Sequence, residues 1–154
     1  MAALEKKNLH TSSWQEQRFE HGVWSYLDLS GEHLGVRVEK LIPGDVSSLH
    51  HYHTMEEEHV IALGGSATLC YGDEELLLEA GDHVCFKAGE EVGHHIANHT
   101  DQDFTFLIIG ERNQGDVCIY PRHDVAAVKA LPSGWKQFNI ERRETAIQHE
   151  VWTK

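Results

Sequence analysis

From residue 22 to residue 120, six turn-forming clusters break the chain into short apolar runs, and this alternation restricts the fold more than any other feature. The clusters are Ser30-Gly31, Pro43-Gly44-Asp45, Gly64-Gly65, Tyr71-Gly72-Asp73, Ala80-Gly81-Asp82 and Gly110–Gly115. Between them lie short runs rich in Val, Ile, Leu, Phe and Tyr: Val23–Leu29, Leu34–Ile42, Glu58–Leu63, Ser66–Tyr71, Glu74–Glu79, His83–Lys87, His94–His99, Phe104–Ile109 and Val117–Tyr120. Each reads as a strand. No sustained 3.6-residue apolar period occurs in this region, so there is no crossover helix from which to build a parallel sheet. The prediction is an all-β sandwich or barrel. Some strands are apolar on both faces: Phe104, Phe106 and Ile108 share one side, Leu107 and Ile109 the other. Such strands are covered twice, and closing the sheet removes its exposed edges.

The 154 residues suit one domain, read as a barrel over 21–122 with an N-terminal arm over 1–20 and a C-terminal arm over 123–154. The first arm is polar, with Trp14 and Phe19 as anchors. The second includes a helical turn at Ala126–Leu131 and ends near Val151-Trp152. Both read as segments laid over the barrel or over a neighbouring subunit, with frayed termini as the alternative. The net charge of −12 repels phosphate backbones and anionic lipid, which argues against nucleic-acid and membrane-surface partners. No apolar run is long enough to span a bilayer, and the first residues lack the apolar core of a signal peptide. Cys70, Cys85 and Cys118 are odd in number and unclustered, a pattern suited to a reducing cytoplasm and not to a disulfide framework.

The 13 histidines equal Lys plus Arg in number and concentrate at 50–59 and 94–99. His51 and His53 flank Tyr52, and on an extended strand residues two apart project from one face, so both imidazoles reach a common point. After a short turn, Glu58 opens a strand on which it shares a face with Val60 and Ala62. A third imidazole comes from His94 or His95. Three imidazoles and a carboxylate suit a divalent transition metal (Mn, Fe, Co, Ni, Cu or Zn) and do not suit Ca or Mg. Four protein ligands on a six-coordinate ion leave two positions open, the mark of a catalytic and not a closed structural site. A His-x-His pair and an acidic Glu56-Glu57-Glu58 turn are each also compatible with a solvated surface.

The order of these parts resembles the two motifs of the cupin superfamily. The first is carried by Gly44, His51-Tyr52-His53, Glu58 after four residues and Gly65 after six more, with Gly44 one residue further upstream than usual. The second is carried by Gly81, Gly89, His94 and Asn98, with Lys87 standing where proline is usual and two extra residues before His94. The resemblance spans about residues 34–120. The phrase Phe86-Lys87-Ala88-Gly89 … Gly93-His94-His95 … Asn98 is similar to a subgroup of small single-domain cupins often labelled as sugar-phosphate isomerases. It implies a double-stranded β-helix jelly roll, metal ligation by His51, His53, Glu58 and His94, and a homodimer. The three-residue spacing to Asn98 favours His94 over His95. The expected cofactor is a divalent transition metal such as Mn, Fe, Ni or Zn, and the expected partner is a small-molecule substrate or ligand.

Lys87, His95 and Arg37 are further candidates for contact with a substrate, each also compatible with an ordinary surface or packing role. Tyr52 points away from the metal by strand parity, and Cys85 shares a face with His83. The function expected is metal-dependent chemistry on a polar metabolite, as in sugar-phosphate isomerisation. The alternatives are an Fe(II)-type dioxygenase, a non-catalytic small-molecule-binding module, and a metal-free structural jelly roll.

Overall fold

A computed structural model describes residues 5–19, 22–129 and 134–140. Thirteen strands occur among them: β1 (Gln15–Phe19), β2 (Gly22–Asp28), β3 (Leu34–Leu41), β4 (Tyr52–His53), β5 (Glu58–Gly64), β6 (Ser66–Tyr71), β7 (Glu74–Glu79), β8 (His83–Phe86), β9 (His94–Ala97), β10 (Phe104–Glu111), β11 (Val117–Tyr120), β12 (Val125–Lys129) and β13 (Trp135–Asn139). All pairings are antiparallel. One layer is ordered β1-β2-β3-β10-β5-β8. The other combines β7-β6-β9 with β4-β11-β12-β13, joined where His51 and His94 form a β-bridge. The chain is thus an all-β jelly roll. No helix among the described residues is long and apolar enough to cross a membrane.

The core lies between the layers. Leu41, Val60, Ala62, Phe86, Phe104 and Phe106 come from the first, and Ala67, Leu69, Leu78 and Ile96 from the second. Phe104 and Phe106 stack with ring centroids 5.4 Å apart, while Leu107 and Ile109 on the other face are half-buried. The inward face changes character along each strand. On β5 it runs from Ala62 and Val60 to Glu58, on β9 from Ile96 to His94, and on β3 from Leu41 to Glu39 and Arg37. One end of the barrel is therefore closed by packed apolar side chains, and the other collects polar ones.

Two motif residues act here as structural parts. Gly65 turns the chain from β5 to β6 at φ +76°, and a Cβ there would lie 2.4 Å from the backbone oxygen of Asp103, so both conformation and space require glycine. Asn98 is fully buried. Its Nδ2 donates to the carbonyls of Leu41 (2.9 Å) and Gln102 (2.7 Å), and its Oδ1 accepts from the backbone N–H and hydroxyl of Thr100. Asn98→Ala leaves a buried carbonyl unpaired and is expected to cost about 2–4 kcal/mol. Urea unfolding checks this as a lower midpoint at unchanged slope.

The segments read as arms contribute paired strands. β1 lies on β2, and Trp14 is covered by the Lys40 ammonium 5.2 Å from its ring centroid. The helical turn expected at Ala126–Leu131 is not found: its described part is strand β12, with Ala127 opposite Cys118 on β11 and opposite Gln137 on β13. Two flanking strands override the helical preference of alanine. The side chain of Phe19, the rest of that turn and Val151-Trp152 lie outside the described residues.

Candidate metal centre

His51, His53, Glu58 and His94 meet at the polar end of the barrel. The segment leading into β4 runs antiparallel to β9, and His51 and His94 exchange backbone hydrogen bonds of 3.2 and 2.8 Å. Strand alternation turns His51 and His53 to the same side, and their rings lie 5.1 Å apart. Glu58 enters from β5 in the opposite layer. Gly110 faces it across the sheet, where a Cβ would come within 3.2 Å of Glu58 Oε1. Glu58 Oε2 lies 3.5 Å from His94 Nε2, 3.7 Å from His53 Nε2 and 4.0 Å from His51 Nε2.

These donors fit a metal. Ligand atoms about 2.1 Å from one ion stand about 3.0 Å apart at right angles and about 3.4 Å apart in a tetrahedron. Donor atoms of His51, Glu58 and His94 lie within 4.8 Å of one another, and His53 Nε2 joins them at 3.7 Å from the Glu58 carboxylate. Two rings are already oriented for it. His51 Nδ1 donates to the Leu49 carbonyl (2.8 Å), and His53 Nδ1 donates to Asp116 Oδ2 (2.6 Å). With the proton held on Nδ1, each Nε2 presents its lone pair toward Glu58. His94 is stacked on Phe86, ring centroids 3.6 Å apart and nearly parallel. Its Nε2 is buried with no hydrogen-bond partner among the described residues, a costly arrangement for a polar atom and a natural one for a ligand.

The electrostatics agree. Burial, reinforced by neighbouring His94, lowers the His51 pKa to about 4, which keeps the ring neutral. Burial works against the charged form of His53 too, but the Asp116 hydrogen bond and the charges of Glu58, Asp116 and Glu56 outweigh it and raise the pKa. Burial would raise Glu58, yet the surrounding imidazoles, His94 first, bring it down to about 2, so the carboxylate stays ionised. A small pocket beside these ligands is completed by Tyr71, Phe86, Lys87 and Val92, with Glu56 and Glu90 on its wall and Tyr52, which parity turns away from the metal, also bordering it.

Of the remaining candidates, Lys87 borders this pocket. His95 does not reach the cluster: next to His94 on β9 it takes the opposite face, where its Nδ1 lies 3.0 Å from His50 Nδ1. Arg37 lies on the inward face of β3, but its guanidinium is occupied, with Nε 3.2 Å from Glu39 Oε1 and the group 4.3 Å above the Trp24 ring. Three neighbours escaped the sequence reading. Asp116 is fully buried and also accepts the Met55 N–H at 2.8 Å. Cys118, opposite His53 on β11, places its sulfur within 4.8 Å of donor atoms of His51 and His53. Burial pushes its thiol up to about 12. The Tyr120 ring lies 5.7 Å from that of His51. All three depend on the pairing of β11 with β4, across more than 60 residues of sequence.

Glu39 carries a separate consequence. It is 2% exposed, and burial raises its pKa from 4.5 to about 7 despite Arg37. The folded state therefore holds a proton that the unfolded chain has released, so this group's contribution is fully present below pH 4.5 and is lost as pH rises through 7, a difference of about 3 kcal/mol. His51, depressed to about 4, contributes with the opposite sign between pH 4 and 6.5. The measurement is accordingly a comparison: subtracting the stability of Glu39→Gln from that of the parent leaves a curve falling from pH 4.5 to 7.

The cupin domain family matches residues 37–110. The chain superposes on a sugar phosphate isomerase from a cupin superfamily of Silicibacter pomeroyi with TM-score 0.78 and 28% identity, covering 88% of this chain and 92% of that one. It superposes on a candidate sugar phosphate isomerase from Acidithiobacillus ferrooxidans with TM-score 0.79 and 24% identity, covering 89% and 91%. A predicted oxalate decarboxylase from Thermotoga maritima shares the fold at TM-score 0.61 and 20% identity, covering 69% and 97%. No curated protein matches the sequence. With the jelly roll and the two motifs, these findings identify residues 37–110 as a cupin domain.

Proposed function

We propose that this chain is a metal-dependent enzyme acting on a small polar metabolite by carbonyl–enediol chemistry, as in the interconversion of an aldose and a ketose phosphate. One observation carries the reading: three imidazole nitrogens lie within 4.0 Å of one carboxylate oxygen, beside a pocket that has a lysine and two further carboxylates, Glu56 and Glu90, on its wall. The name of the Silicibacter pomeroyi protein supports it. A divalent ion (Mn, Fe, Ni or Zn) held by His51, His53, Glu58 and His94 supplies Lewis acidity toward a carbonyl oxygen. Lys87 attracts the anionic end of the substrate. Tyr71, Phe86 and Val92 limit water. Glu56 Oε1 is held by Lys129 and by the Asn113 N–H, which leaves Oε2, 3.9 Å from His53 Nδ1, as the oxygen that moves the proton.

The test incubates the untagged, metal-loaded protein with aldose and ketose phosphates in deuterated water. Expected are isomer formation and deuterium at the carbon beside the carbonyl, both lost in Glu56→Gln. Oxygen uptake with substrate loss would assign a dioxygenase instead, and saturable binding without exchange a binding module. We also place the chain in the cytoplasm as a homodimer. Exposed Phe138 on β13, the outermost described strand of its layer, supports the dimer, and sedimentation gives its mass.

A further inference from the structure

The strand that sends Glu58 into the barrel also presents donors on its outer side. His59 lies on the outer face of β5, directly opposite Cys85 on β8, while Ile61 opposes His83. Glu57 immediately precedes the strand. His59 Nε2 is 2.9 Å from Glu57 Oε1 and 3.9 Å from Cys85 Sγ, and the three donor atoms lie within 4.8 Å of one another. The other ring nitrogen, Nδ1, is 2.9 Å from His83 Nε2, and the two imidazoles stack 5.2 Å apart at 15°. β8 is the last strand of its layer, and the side chains of His59 and Glu57 are 37% and 44% exposed, so the group is open to solvent.

We propose that Glu57, His59 and Cys85 form a second metal site, outside the barrel, for a zinc-class ion that keeps at least one coordination position for water. The donor set decides the class: imidazole, thiolate and carboxylate together are the ligands of zinc and its neighbours. Zinc bonds of about 2.0–2.3 Å put tetrahedral ligands about 3.3–3.6 Å apart, between the two spacings observed. The same geometry excludes a thiol–imidazole–carboxylate relay, which needs the thiol on one ring nitrogen and the carboxylate on the other. Here both converge on Nε2. Burial and the charge of Glu57 raise the Cys85 thiol above its usual value, which suits a sulfur that ionises only for an ion and not a standing nucleophile. Ligation through Nε2 leaves the ring proton of His59 on Nδ1, facing His83, and releases the thiol proton to solvent. His83 is thus a positioning residue for His59. The ion ties the edge strand β8 to β5, so it stabilises the fold by mass action.

The site is independent of the inner centre, and its test is made where the inner centre is disabled. In full-length His51→Ala, zinc is expected to bind at one equivalent and to raise the melting temperature. In His51→Ala/Cys85→Ser and His51→Ala/His59→Ala, both effects are lost while circular dichroism is unchanged. With cobalt in place of zinc, the near-ultraviolet thiolate-to-metal charge-transfer band is expected to vanish in Cys85→Ser and to persist in Cys118→Ser. Retention of the equivalent in the Cys85 or His59 double variants, or loss of the band in Cys118→Ser alone, would overturn the assignment.

Discussion

His51→Ala and His53→Ala, each made in a Cys85→Ser background, bind no measurable ion at the inner centre. The expected loss exceeds the roughly 10–100-fold that removing a supporting residue costs, because a donor itself is gone. Among the described residues, the nearest other histidine and the nearest thiol are poor replacements. His95 is on the far face of β9, and the Cys118 thiol holds its proton up to about 12. The fold should survive, since the apolar core, apart from Phe86 beside His94, lies toward the opposite end of the barrel. Elemental analysis of untagged protein, together with calorimetric titration, measures both variants. His95→Ala serves as control and should retain the full equivalent. An unchanged metal content in either ligand variant would remove His51 and His53 from the coordination sphere and end the catalytic reading.

How far the sequence foretold this site depends on the range over which each relation acts. Strand parity is local, and it correctly set His51 and His53 on one side and put Glu58 in line with Val60 and Ala62. The turn clusters are local too, and they bounded β2, β3 and β5 to β11 to within a few residues. Parity also separates His94 from His95, but not which of the two faces inward. That needed the pairing of β9 with β6 and the His51 bridge. Likewise, Cys85 and His83 share a face by alternation, and only their pairing with His59 and Ile61 makes it the outer one. Asp116 gave no local signal. It follows a glycine turn and precedes a short strand, as an ordinary turn residue does, until β11 lies against β4 and brings it to His53. β12 failed for a related reason: Ala126-Ala127 reads as helical in isolation, and its strand geometry comes from neighbours on both sides.

Asp116 supplies the second large effect. Asp116→Asn preserves shape but replaces a buried carboxylate, 2.6 Å from His53 Nδ1, with a neutral amide. A carboxylate on the far nitrogen of a metal-binding imidazole fixes its tautomer and raises its basicity, and losing it typically costs about 10–100-fold in metal affinity. The pH dependence separates this role from simple support of the loop. In the parent, protons reach His53 before His51, because the His53 pKa is raised whereas His51 resists them until about pH 4. Metal affinity therefore begins to fall while the pH is still above the ordinary histidine value, and it falls further with acidity. Removing the Asp116 charge lowers the His53 pKa. The variant should bind more weakly at pH 8, yet its affinity should hold level to a lower pH before declining. A merely structural defect would lower the whole curve without moving its onset. Titrating zinc between pH 5 and 8 in the Cys85→Ser background distinguishes the two, and an onset that stays where the parent's lies would show that Asp116 does not set the basicity of His53.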